Sequence, residues 1–133
     1  MSVTLVIVSH SAKLAEGVAE FVGQMNAGQV ELEAVGGTDD GLLGTSATRI
    51  HAALERATQA GGEALVLMDL GSARLRSELA LDLLREEQRV RVALAEAPLV
   101  EGAFLAAFEA ATGGDLRTVQ AAAEEGGALK KMG

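Results

Sequence analysis

The sequence contains no cysteine, tryptophan or tyrosine, and only one proline, two histidines and three phenylalanines in 133 residues. Without cysteine there are no disulfides, thiol nucleophiles, iron–sulfur clusters or thiolate zinc sites. Two histidines are too few for a histidine-rich metal centre. The missing indole and phenol rings remove the usual stacking partners of flavins and bases. Basic residues are scarce as well: 11 Lys and Arg stand against 19 Asp and Glu, a formal charge of −8. That balance argues against binding a nucleic-acid backbone. No apolar run approaches the ~20 residues of a membrane span, and the opening MSVTLVIV lacks the basic flank of a signal peptide. The expectation is a cytoplasmic protein that binds neither nucleic acid nor membrane.

What is present is aliphatic. Hydrophobic residues make up 49% of the chain, and 25 of them are alanine, so the core must be built from Val, Leu, Ile and Ala. The length suits one domain over residues 1–133, with 125–133 expected to be a flexible tail. Val3–Val8 is a continuous apolar, largely β-branched run, as in a strand buried on both faces. Ser11 then offers an N-cap to a helix in which Leu14, Val18, Phe21, Val22 and Met25 recur at helical spacing. Val30–Val35 alternates, with Val30, Leu32 and Ala34 on one face, which predicts an edge strand. The glycine-rich loop Gly36–Gly44 leads to a helix capped by Thr45 or Ser46, its inner face Ala47, Ile50, Leu54 and Ala57, stopping at Gly61-Gly62.

Ala64–Met68 is a second fully apolar strand and ends at Asp69. Gly71 and Ser72 open a third helix, predicted to turn Leu75, Leu79, Leu83 and Leu84 inward. Val90–Leu94 is predicted as the other edge strand because it carries Arg91. Pro98 begins a fourth helix with Leu99, Ala103, Leu105, Ala106 and Phe108 toward the core. Gly113-Gly114 breaks the chain, and Asp115 caps a last, alanine-rich helix.

Strands followed by helices predict an α/β fold: a three-layer, flavodoxin-like sandwich with a mainly parallel sheet in the order 2-1-3-4. Strands one and three are then neighbours at the point where the winding reverses, and ligands in such sheets bind beyond the carboxyl ends of the strands there. Those ends carry His10 and Asp69. An imidazole is nucleophilic at the nitrogen without a hydrogen, and a carboxylate on the opposite nitrogen fixes that tautomer and favours the charge developing during attack. Ser11, Thr45, Ser46 and Ser72 stand at helix N-termini, which attract anions, and Gly37 and Thr38 begin a loop whose N–H groups could approach a phosphoryl oxygen. The set fits phosphoryl transfer through a phosphohistidine, with His10 and Asp69 catalytic and the other six residues stabilising the phosphoryl group.

Each element also has a plainer reading. A lone histidine after a strand can be an ordinary loop or core residue, and the loop can be a tight connection with a helix cap. Asp39 and Asp40 read as solvated turn residues, because carboxylates would repel a phosphoryl group. His51, at the flank of an apolar stripe, reads as structural or exposed. Arg49 and Arg74 read as surface charges.

The segments VSHSAKLAEGV, GGTDDGLLGTS, LVLMDLGSA and EAPLVEGA, in this order, resemble the mannose-type EIIA domains of the sugar phosphotransferase system, in particular those serving phosphoenolpyruvate-dependent dihydroxyacetone kinases. The resemblance runs from Val3 to about Gly102. It places the family's phospho-accepting histidine at His10, its carboxylate at Asp69 and its GTS segment at Gly44, Thr45 and Ser46. Ser11 stands where sugar-transporting members usually have glycine, which favours the dihydroxyacetone branch. The resemblance implies that the phosphocarrier HPr donates a phosphoryl group to His10 Nε2. His10 would pass it to ADP on a nucleotide-binding kinase subunit, with no cofactor or metal of its own, and the protein would be a homodimer. Some relatives carry HPr-like and enzyme-I-like domains after this one; here the donor is expected to be a separate protein.

The alternatives are a sugar-transport EIIA carrier, a flavodoxin-like ligand-binding module and a purely structural interaction domain. A response-regulator receiver is disfavoured, because the first strand ends in Ser-His and not in an acidic pair.

Overall fold

A computed structural model describes residues 2–133. Four strands form one parallel sheet in the order β2-β1-β3-β4. They are β1 (Val3–Ser9), β2 (Leu32–Gly36), β3 (Glu63–Met68) and β4 (Val92–Leu94). The helices are α1 (Ala12–Met25), α2 (Ala47–Thr58), α3 (Ala73–Asp82), α4 (Glu86–Arg89), α5 (Leu99–Ala111) and α6 (Leu116–Glu124). The predicted α/β class and strand order are those observed.

The period of two along each strand sorts the core into two layers. Leu5, Ile7, Leu65 and Leu67 face a cluster completed by α1, α5 and α6. Val6, Val8, Ala64 and Val66 face the opposite cluster, with Ile50, Ala53 and Leu54 of α2 and Ala73 and Ala80 of α3. β1 is buried along its whole length, as a central strand covered on both faces must be. The core is aliphatic, as the composition requires: Phe21 and Phe108 are exposed.

Several local expectations are corrected. Leu75, Leu79 and Leu83 are exposed, and the buried residues of α3 are Ala73, Ser77 and Ala80, with Leu84 beyond its end. Small side chains let α3 lie close to its neighbours, so the leucine stripe that periodicity pointed inward is the outer face. In α1 the stripe divides: Val18 and Val22 are buried together with Ala15, while Leu14, Phe21 and Met25 are exposed. Phe108 likewise lies on the outer face of α5, whose core side is Leu99, Gly102, Ala103, Ala106 and Ala107. At Gly102 the approach is so close that a Cβ would stand 2.9 Å from the Ala97 Cβ and 3.2 Å from the Ala123 carbonyl oxygen.

The fourth strand is shorter than predicted, because Val90 ends the short helix α4, which the periodicity did not reveal. Arg91 instead anchors the entry to β4: its guanidinium donates to the Thr58 and Gly62 carbonyls at 2.6 and 3.1 Å. Within the segment expected to fray, Glu125–Ala128 forms a 3-10 turn with Gly126 buried. No helix among the described residues is long and apolar enough to cross a membrane.

Candidate active site

Parallel pairing of β1 with β3 runs through Val8↔Met68. The next residues, Ser9 at the end of β1 and Asp69 just beyond β3, therefore lie at the same level. The Asp69 amide continues the ladder by donating to the Val8 carbonyl at 3.2 Å. This places the Asp69 carboxylate beside the turn that carries His10. Oδ2 accepts from the His10 backbone N–H at 2.9 Å and from the Ser9 hydroxyl at 3.0 Å. Oδ1 accepts from the Leu70 N–H at 2.8 Å and lies 3.0 Å from His10 Nδ1.

The Asp69 side chain is only 11% exposed. Burial alone pushes its carboxyl pKa up, but hydrogen bonds from the His10 amide and imidazole and from the Ser9 hydroxyl hold it below the ordinary 3.8. Asp69 is therefore ionised at neutral pH and can only accept, so Nδ1 carries the imidazole proton. In the neutral ring Nε2 keeps its lone pair, and it lies 2.9 Å from the Ser72 hydroxyl, which can donate to it. The His10 side chain is 28% exposed, so the ring is partly open to solvent.

The serine and glycine residues divide by task. Ser72 precedes α3 without making a side-chain cap; its hydroxyl is turned to the imidazole instead. Ser11 caps α1 by accepting from the Leu14 N–H. Ser46, and not Thr45, caps α2 by accepting from the Arg49 N–H, while its hydroxyl donates to Asp39 at 2.7 Å. Thr38 shapes the loop, accepting from the Leu42 N–H through its hydroxyl. Gly37 donates to the Ser9 carbonyl and Gly44 to the His10 carbonyl, so both ends of the loop hold the β1–α1 turn. Thr45 is the half-buried residue between Gly44 and the cap. Of the candidate residues, Asp69 and Ser72 hydrogen-bond the imidazole, whereas the side-chain bonds of Ser11, Thr38 and Ser46 go elsewhere.

The close approach of loop and helix explains one glycine outright. Gly36 lies opposite Ser9 in the β1–β2 register. A Cβ on it would collide with the Ser11 carbonyl, and with the Ala12 Cα at 2.7 Å. Arg49 reaches back to the Gly36 carbonyl at 2.6 Å and so braces the loop. Arg74 pairs with Glu78 on its own helix, and His51 lies 3.8 Å from Glu55 on α2.

Ser9 is the participant that the sequence reading left out of the site. Its signal was a hydroxyl closing the apolar run Leu5–Val8, directly before the histidine. Among the described residues no cluster of three His, Asp or Glu side chains is arranged to hold a metal ion. A cavity of about 560 Å³ adjoins the site on the β4 side, lined in part by Asp69, Arg74, Glu78 and Glu96.

Comparison with known proteins places the chain in a family. Residues 4–120 match the EIIA-man family, described as the PTS system fructose IIA component. The chain is 43% identical over 120 residues to the phosphoryl donor subunit DhaM of the PEP-dependent dihydroxyacetone kinase of Escherichia coli K12. That alignment covers 88% of this chain and 25% of the relative, so the chain spans about a quarter of the relative's length. It is 40% identical over 107 residues to the DhaM of PEP-dependent dihydroxyacetone kinase 2 of Listeria innocua, covering 80% of this chain and 85% of that one. The crystal structure of the unknown-function protein EF1359 superposes with a TM-score of 0.86 at 40% identity, covering 94% of this chain and 95% of the other. This chain belongs to the EIIA-man family of the phosphotransferase system, within its DhaM group of phosphoryl donor subunits.

Proposed function

We propose that this chain is a cytoplasmic phosphocarrier that takes a phosphoryl group from HPr onto His10 Nε2 and delivers it to ADP held by a dihydroxyacetone kinase subunit. The carrying observation is the oriented imidazole. Asp69 occupies Nδ1, leaving the Nε2 lone pair facing a serine hydroxyl that can swing away. In the first step the Nε2 lone pair attacks phosphorus, the N–P bond forms, and the bond to the donor breaks as the donor keeps that electron pair. The imidazolium so formed keeps its Nδ1 proton toward Asp69, whose negative charge stabilises it. In the second step a terminal oxygen of ADP attacks phosphorus and the N–P bond breaks, returning the lone pair to Nε2.

Ser72 is the candidate to follow the charge. Its hydroxyl donates to Nε2 at rest and is within a side-chain rotation of donating to a phosphoryl oxygen. Ser11, Thr45 and Ser46, at the starts of α1 and α2, are read as favouring an anion through the helix N-termini, whereas Gly37 and Thr38 give their amides to the Ser9 and Leu42 carbonyls and so act by shaping the loop. Most of the acceleration in such a transfer comes from positioning and charge stabilisation.

The test is labelling from isotopic phosphoenolpyruvate in the presence of enzyme I and HPr. The protein should acquire acid-labile, base-stable phosphate, His10→Ala should lose all of it, and addition of ADP-loaded kinase subunits should discharge it. Label that persists in His10→Ala but disappears in His51→Ala would overturn the assignment. The homodimer is part of the same reading. Light scattering at micromolar concentration should return about twice the chain mass of 13.6 kDa, and a monomer would refute it.

A further inference from the structure

Ser9 is fully buried, whereas the imidazole beside it is partly open to solvent. Its hydroxyl makes two hydrogen bonds in opposite senses. It accepts from the Ser11 backbone N–H at 3.0 Å and donates to Asp69 Oδ2 at 3.0 Å. Because one lone pair is taken by the amide, the single hydroxyl proton is directed onto the carboxylate. The bond therefore spans His10: one end holds the residue after it and the other holds the carboxylate that orients its ring.

We propose that Ser9 is a positioning residue for phosphoryl transfer, bracketing His10 so that the turn and the Asp69 carboxylate stay in register and Nε2 keeps the lone pair. The inference rests on reading His10 as the phosphoryl acceptor. Removing the hydroxyl leaves two groups unpaired, the Ser11 N–H and one lone pair of Oδ2, in a site with little water to replace it. The turn must then shift to satisfy the amide, and the imidazole moves with it. Ser9 is fully buried, so its loss acts through the geometry of His10 and not through docking. Buried serine hydroxyls are not all alike here: Ser77, also buried, has no hydrogen-bond partner for its Oγ.

The experiment compares wild type, Ser9→Ala and, as a control, Ser77→Ala, each as the full chain. Nitrogen-15 NMR of the histidine rings reports which nitrogen bears the proton, and label transfer from phosphorylated HPr gives kcat and KM. Wild type should show His10 with its proton on Nδ1. Ser9→Ala should show a mixed population, with kcat reduced on the order of tenfold, as for loss of a group that orients a reacting ligand, and KM within about twofold. Ser77→Ala should match wild type in both. A Ser9→Ala protein with the wild-type tautomer and kcat would overturn the proposal. So would a rise in KM alone. If Ser9→Ala does not fold, the wild-type spectrum still decides, because a proton on Nε2 would refute the arrangement. A wild-type chain that accepts no phosphoryl group would instead refute the reading of His10, while the tautomer measurement would still test the bracket.

Discussion

Two polar clusters sit at opposite ends of the sheet, and they are built differently. At the carboxyl end, Ser9, His10, Asp69 and Ser72 join β1 to β3 and α3. At the amino end, Thr58, Gln88 and Arg91 join α2 to α4 and the start of β4. The Thr58 hydroxyl donates to the Leu54 carbonyl at 2.7 Å and accepts from Gln88 Nε2 at 3.2 Å. Arg91 finishes on the Thr58 and Gly62 carbonyls. Both clusters satisfy buried polar groups across distant segments, as a packed interior requires. The amino-end bonds run among buried or half-buried side chains and main-chain carbonyls, whereas the carboxyl-end chain stops at an imidazole nitrogen whose partner is an exposed serine hydroxyl. A network whose bonds all end inside the protein holds the fold; one that ends on a replaceable partner is free to do chemistry.

This contrast is broken most sharply at Asp69. Asp69→Asn should fold, yet slow labelling by about 100-fold, equivalent to about 2.7 kcal/mol of barrier, because a neutral amide neither fixes the tautomer as firmly nor balances the imidazolium. A rate within twofold of wild type would make the carboxylate merely structural. The same variant sharpens the pH behaviour. The folded-state pKa of Asp69 is depressed, so its contribution to stability is complete above the ordinary carboxyl value of 3.8 and is lost as pH falls through the lowered one. Chemical denaturation between pH 5 and pH 2 should show a shallower acid loss in Asp69→Asn than in wild type.

At the other end the expected effect reverses in kind. Gln88→Ala removes a buried amide and opens a cavity, costing about 2 kcal/mol of stability. The melting temperature should fall by roughly 8 °C while labelling of the folded protein stays at the wild-type rate. A loss of labelling without a loss of stability would mean that the two ends are coupled. The smallest effect is expected at His51. Its contact with Glu55 is long and partly exposed, so His51→Ala should change stability by under about 0.5 kcal/mol and leave labelling intact.

The legibility of these features followed from how local each signal is. β1 and β3 were readable because a strand buried on both faces is predominantly apolar, and the residues that end them, Ser9-His10 and Asp69, stood out by contrast. The caps at Ser11 and Asp115 were readable, and that of α2 was narrowed to Thr45 or Ser46, of which the structure selects Ser46, because capping involves residues three positions apart. The inward face of α3 was not readable. Leu75, Leu79 and Leu83 mark a helical stripe, but periodicity gives the spacing of a stripe and not which side the sheet lies on. Helix α4 escaped for a related reason, being four residues long and held by the contacts of Gln88 and not by any repeat of its own.

The sequence by itself determined the alternation of strand and helix, the aliphatic core and the placement of His10 and Asp69 at strand ends, since these depend on neighbours along the chain. Tertiary structure alone decided that Asp69 meets Nδ1 and Ser72 meets Nε2, that Ser9 closes the bracket, and that the leucines of α3 face outward. The site bonds join residues about 60 positions apart, and the orientation of α3 depends on what it packs against. Their distances are set by the register of β1 against β3 and by how closely small side chains let the helices approach, which no local pattern encodes.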